Sequence, residues 1–175
     1  MSNFSKDLKK MCLKTGEELR AASEKRSKRY GIDFGESYEK EFVALLFHNF
    51  LSNSLLEKYT IENLGLDWWW DKTRNGKKKV DHPDLTYWSQ KDEFEVVEVK
   101  AIYNFGKIVK LYAGDTKRIN ADYEKLYDMK KTQEIGTKHL VVVFLGNEKH
   151  DFRDIERRVN DSLKSHHNSI EVIVC

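Results

Sequence analysis

Apolar positions along this chain fall into two rhythms, one of helices and one of strands. Between residues 37 and 56, Tyr38, Phe42, Leu45, Leu46 and Asn49 share one side at helical spacing. Val43, Phe47 and Phe50 widen that apolar face, which predicts a helix packed into the core. Residues 4–29 also read as helical from their Lys, Glu, Leu and Ala content, with a break or bend near Thr15-Gly16. Their apolar positions are sparse, which predicts a helix on the surface of the domain. Residues 114–133 form another helical stretch, with Ile119, Tyr123, Leu126 and Met129 or Lys130 on one face. Residues 151–166 form the last, with Ile155, Val159 and Leu163 at spacings of four.

The strand rhythm fills the intervals. Residues 66–71, with Trp68-Trp69-Trp70, are rich in strand formers. Asn75-Gly76 is a hairpin signal, because both residues tolerate the positive φ angles of tight turns. A strand over 78–88 follows, and Pro83 within it predicts an edge, a bulge or a break in the ladder. Residues 93–103 set β-branched and aromatic residues among charges and read as a third strand. Residues 139–145 are nearly all apolar, the pattern of a strand covered on both faces, and 169–174 read as the last strand. The order is therefore helix, three strands, helix, strand, helix, strand.

Composition narrows the class. The 175 residues suit one domain with a real core. Charged residues make up 34%, but 12% aromatics argue against disorder. The net charge of +2 is unevenly spread: residues 1–30 hold nine Lys/Arg against four Asp/Glu, and the rest hold 22 against 25. We therefore divide the chain into a basic helical extension, 1–30, and a domain, 31–175. Such an extension suits an arm that touches nucleic acid, and a solvated helix surface accounts for the same residues. Cys12 and Cys175 stand far apart and form no zinc motif. No apolar run approaches a membrane span, and the first residues carry no signal-peptide pattern. These features predict a cytoplasmic protein with no membrane partner.

The chemistry concentrates between residues 81 and 100. Asp81-His82-Pro83-Asp84-Leu85 lies late in one expected strand, and Glu98-Val99-Lys100 lies on the next. Side chains alternate along a strand, so Glu98 and Lys100 emerge on one face. If the strands are neighbours, Asp84 joins them. Two carboxylates and an ammonium then share a corner suited to a hard divalent cation such as Mg²⁺. Lys100 would hold a water or stabilise developing negative charge. An exposed strand with a salt-bridged face also carries Glu-Val-Lys sequences, but Val96, Val97 and Val99 mark this strand as internal, where charges are rare without a partner.

Pro83-Asp84 followed by Glu98-Val99-Lys100 resembles the signature of the PD-(D/E)XK nuclease superfamily, and the order of elements over 36–146 resembles its core. The resemblance implies an α/β fold: a restriction-endonuclease-like αβββαβ core with a central mixed sheet flanked by helices. It implies an Mg²⁺-dependent endonuclease, a phosphodiester hydrolase acting on DNA through a metal-activated water, with Mn²⁺ able to substitute. Asp84, Glu98 and the backbone carbonyl of Val99 would hold the ion. Glu39, on the helix before the sheet, would be a third carboxylate, with Glu36 and Glu41 as rivals. Lys117, Asn120 or Asp122 would stand behind the site on the following helix. The small size suits a structure-selective or end-directed enzyme, or a compact homodimeric restriction enzyme. The alternative is a nuclease-fold protein without catalysis that binds nucleic acid or another protein.

Other residues carry weaker signals. Asp81 is a reserve for Asp84. Trp68 and Trp70 share a strand face that would stack a base or pack in a core. Lys77-Lys78-Lys79 would touch a phosphate backbone or simply solvate the hairpin. His82 sits beside the proposed site, and His166-His167 read as a helix terminus.

Overall fold

A computed structural model of the chain describes residues 3–30, 38–53, 59–60, 70–74, 77–81, 83–89, 94–103, 111–128, 135–145, 152–164 and 167–175. The elements are α1 (Asn3–Tyr30), α2 (Tyr38–Ser52), β1 (Tyr59–Thr60), β2 (Trp70–Arg74), β3 (Lys77–Asp81), β4 (Leu85–Ser89), β5 (Phe94–Tyr103), α3 (Ala113–Asp128), β6 (Ile135–Leu145), α4 (Phe152–Ser162) and β7 (Ile170–Val174). The fold is α/β. Its mixed sheet has the order β1-β4-β5-β6-β7, antiparallel as far as β5 and parallel from β5 through β7.

Alternation on β5 and β6 sorts the core into two layers. Val97, Val99 and Ala101, with Val141 and Val143, face α1 and α2. Val96 and Ile102, with Leu140, Val142 and Phe144, face α3 and α4. Both faces of these strands are covered, which is why 140–145 is apolar throughout. The helical stripes named from spacing do the covering: Phe42 and Leu46 from α2, Ile119, Tyr123 and Leu126 from α3, Ile155, Val159 and Leu163 near α4.

Two expectations about α1 are corrected. The helix is continuous through Thr15-Gly16. At Gly16 the Arg20 guanidinium lies 3.3 Å from where a Cβ would sit, and Arg20 Nη1 donates to the Phe144 carbonyl at 3.2 Å. A side chain at position 16 would press on that guanidinium. Nor does α1 lie on the surface alone: Phe4, Leu8, Met11, Cys12 and Leu19 are buried in the core shared with α2 and the sheet. Their stripe is narrow because the small polar Ser5, Thr15 and Ser23 fill buried positions between them. Asn49 of α2 donates to Thr15 and Glu18 at 3.0 and 2.8 Å, and Arg26 pairs with Glu41 at 3.0 Å, so the two helices run antiparallel.

The single strand expected over 78–88 is two strands in two sheets. Of the outcomes Pro83 allowed, the break in the ladder is the one found. Before it, β3 pairs with β2 as a hairpin in which Arg74 faces Lys77. After it, β4 pairs with β5. A buried cation also shapes the parallel half. The Lys138 ammonium donates to the Leu126 carbonyl at 2.5 Å and satisfies the C-terminal end of α3.

Candidate active site

The site forms where β4 ends and β5 continues. Leu85 faces Val97, and the antiparallel register extended by one residue sets Asp84 opposite Glu98. Asp84 is therefore on the face of Glu98 and Lys100. With no β4 residue left to pair, the Val99 amide donates instead to Asp84 Oδ2 at 2.7 Å. The next outward amide, that of Ala101, donates to Glu39 Oε2 at 3.0 Å. Two carboxylates from separate segments thus continue the ladder that β4 abandons. In an extended strand the carbonyl of a residue points to the same edge as its amide, so the Val99 carbonyl also faces this corner.

Two lysines tie the carboxylates together. Lys100 Nζ lies 3.1 Å from Glu39 Oε2 and 3.2 Å from Asp122 Oδ2. Lys125 Nζ donates to Glu98 Oε1 at 2.7 Å. Glu39 comes from the first turn of α2, while Asp122 and Lys125 project from α3 toward the sheet. Four carboxylates and two ammonium groups meet here, so the cluster carries an excess of negative charge when all are ionised.

Burial governs their protonation. It pushes the Glu98 carboxyl up to about 8, with the charge of Asp84 adding to the effect and Lys125 opposing it. It pushes Asp84 up to about 6, opposed by the Val99 hydrogen bond and reinforced by Glu39. Asp122 is also raised by burial, despite Lys100. Burial works against the charge of Lys100, but Asp122 and Glu39 outweigh it and hold the ammonium above the ordinary lysine range.

The oxygen-rich donor set suits Mg²⁺ or Mn²⁺ rather than a thiol- or imidazole-seeking ion. Glu98 Oε2 is buried and has no hydrogen-bond partner among the described residues. Yet no three His, Cys, Asp or Glu side chains among the described residues are arranged to hold an ion as they stand. The lysine contacts explain why: Glu39, Asp122 and one oxygen of Glu98 are drawn to ammonium groups.

The expected site residues separate clearly. Asp84, Glu98, Lys100 and Glu39 come together. Of the rivals to Glu39, Glu41 is committed to Arg26 and Glu36 lies outside the described residues. The backbone of Asp81 pairs with Trp70 in the other sheet, and its side chain lies outside the described residues. On α3, Asp122 joins the cluster and Lys117 is exposed. Asn120 instead donates to the Thr116 and Ser162 carbonyls at 2.9 and 3.0 Å and accepts from the Lys164 amide at 2.9 Å. It clasps α3 to the end of α4. Lys125 was missed, although it follows Asp122 by three residues on the same helix face, a spacing that brings both to one neighbour. His167 is not a helix terminus: it precedes β7, and its ring stacks on Tyr127 at 3.7 Å. His82, His166, Trp68 and Trp69 lie outside the described residues, as do the side chains of Trp70 and Lys77 to Lys79.

No protein-family model, curated protein or solved structure matches the chain. No described helix is long and apolar enough to cross a membrane.

Proposed function

We propose that this chain is a metal-dependent nuclease of the PD-(D/E)XK type that hydrolyses phosphodiester bonds in DNA. The observation that carries this reading is the meeting of Asp84, Glu98, Lys100 and Glu39, from the segment before β4, from β5 and from α2, at the point where β4 stops pairing with β5. Asp84, Glu98 and the Val99 carbonyl would hold Mg²⁺, with Mn²⁺ as a substitute. The ion would polarise the phosphate and lower the pKa of a water. Lys100, fixed between Glu39 and Asp122, places a cation beside the carboxylates, where it orients a water and offsets charge growing on the phosphate. Glu39 holds Lys100 in place and locks it to β5 through the Ala101 amide. Lys125 donates to Glu98 Oε1 and works against the upward pull of burial on its carboxyl.

A second reading has its own support. Every carboxylate of the cluster already has a protein partner, and the described residues form no ready ion cage. That favours a nuclease-type fold retained without catalysis, serving nucleic-acid or protein binding. Calorimetry with Mn²⁺, followed by cleavage of single- and double-stranded DNA and RNA with Mg²⁺ or Mn²⁺, separates the two. The nuclease reading expects an ion bound and a strand cut, both lost in Glu98→Gln. An ion bound with no substrate cut supports the second reading, and neither ion nor cleavage ends the first.

A further inference from the structure

The four carboxylates and two lysines of the cluster are net negative when all are ionised and offer a polyanion no surplus of positive charge, so a nuclease reading needs a cationic surface nearby. Apart from Arg20, the basic residues of α1 fall into two groups at its two ends. Lys6, Lys9, Lys10 and Lys14 occupy the first half, where Phe4 packs against the His139 ring at 5.2 Å and Lys9 pairs with Glu156 of α4. Lys25, Arg26, Lys28 and Arg29 occupy the end of the helix.

The second group lies past the C-terminal end of β6, the strand beside the one that carries Glu98 and Lys100. Arg20 reaches the Phe144 carbonyl, and Phe144 is level with Ile102, two residues past Lys100 on β5. The helix then continues through Tyr30, so Lys25 and Lys28 lie roughly 8–12 Å further along it than Arg20. Arg26 pairs with Glu41 in the first turn of α2, the turn that also bears Glu39. The basic end of α1 therefore flanks the start of α2, with Lys25 and Lys28 both exposed.

We infer that the last turns of α1, through Lys25 and Lys28, hold the phosphodiester backbone of DNA for the candidate site. The inference rests on the nuclease reading and adds to it a location for the substrate. Lysines contact phosphates without regard to sequence, position the duplex and leave base reading to other groups. Basic residues at a helix C-terminus also complement its dipole, and that role alone would affect stability and not binding.

The test uses the full chain and a labelled DNA duplex, with chelator present so that binding is measured apart from cleavage. Affinity is followed from about 50 to 200 mM salt for wild type, for Lys25→Ala with Lys28→Ala, and for Lys6→Ala with Lys10→Ala. Both pairs remove the same charge from exposed positions of one helix, and alanine keeps the helix. The Lys25/Lys28 pair is expected to flatten the log–log salt slope by roughly two and to weaken binding at low salt about tenfold or more. The Lys6/Lys10 pair is expected to keep the wild-type slope. Equal losses in both pairs, or a lower melting temperature with an unchanged slope in the Lys25/Lys28 pair, overturn the inference. A wild-type chain that binds Mn²⁺ but no duplex overturns it too while sparing the metal corner, whereas failure of Mn²⁺ binding strikes the nuclease reading itself.

Discussion

The Val99 amide donates to the Asp84 carboxylate at 2.7 Å, at the point where β4 no longer pairs with β5. A side chain here does the work of a strand. Asp84→Ala should leave a donor without its partner and cost about 1–3 kcal/mol. Asp84→Asn keeps an acceptor oxygen and should retain most of the stability. Both should lose Mn²⁺ affinity, because the ion needs the charge. Urea denaturation and calorimetry measure the two effects, and wild-type Mn²⁺ binding by the Asn variant would remove Asp84 from the ligand set.

Lys100→Met should bind Mn²⁺ yet cleave roughly 10²–10³-fold more slowly, since the ammonium acts on water and phosphate. It also leaves Glu39 and Asp122 facing each other without their shared cation. These groups are partly exposed, so solvent screening limits the loss of stability to roughly 1–2 kcal/mol. Unimpaired cleavage by this variant would show that Lys100 takes no part in the reaction.

Glu98 and Asp84 make stability depend on pH in an unusual direction. Their folded-state values, about 8 and about 6, lie above the ordinary 4.5 and 3.8. Across each interval the folded chain binds more protons than the unfolded chain, so stability falls as pH rises. The loss begins near the ordinary value and is complete above the folded one, near pH 8 for Glu98. Glu98→Gln should remove much of that slope and stabilise the metal-free protein at its alkaline end. Urea midpoints in chelator at about pH 5, 7 and 9 test it. A flat profile in wild type would mean that Glu98 titrates normally.

Asn120→Ala should cost roughly 2–3 kcal/mol, because it breaks two hydrogen bonds that join α3 to the end of α4 and one within α3. Mn²⁺ affinity should stay as in wild type. A large loss of Mn²⁺ binding in a folded variant would return Asn120 to the site.

Removal of residues 1–30 should abolish folding. The truncation strips Phe4, Leu8, Met11, Cys12 and Leu19 from the core, and each large apolar side chain contributes about 1.5–3 kcal/mol. The total matches the whole stability of a typical domain. Far-UV circular dichroism and solubility decide the point. A soluble, cooperatively folding truncation would show α1 to be a separable extension.

Periodicity alone located α2, α3, α4 and the strands β5 to β7, because each has a broad apolar stripe or a covered strand face that no other element type explains. It also paired Glu98 with Lys100, since alternation along a strand is a local property. The course of α1 was less legible. Its buried stripe is thin and interleaved with Ser5, Thr15 and Ser23, so its packing is visible only once α2 and the sheet are in place. The fate of 78–88 was likewise undecided, because Pro83 permits several interruptions and the pairing partners of each half choose among them. Glu39 was the carboxylate expected on α2, but its contacts with Lys100 and the Ala101 amide depend on how α2 packs onto β5, and Asp122 and Lys125 reach the corner only because α3 lies across the other face. Local spacing sets which side chains share an element's face. The meeting of charges from α2, α3, β5 and the end of the Pro83 break depends on how those faces are stacked, which is decided by burial of the two apolar layers between them.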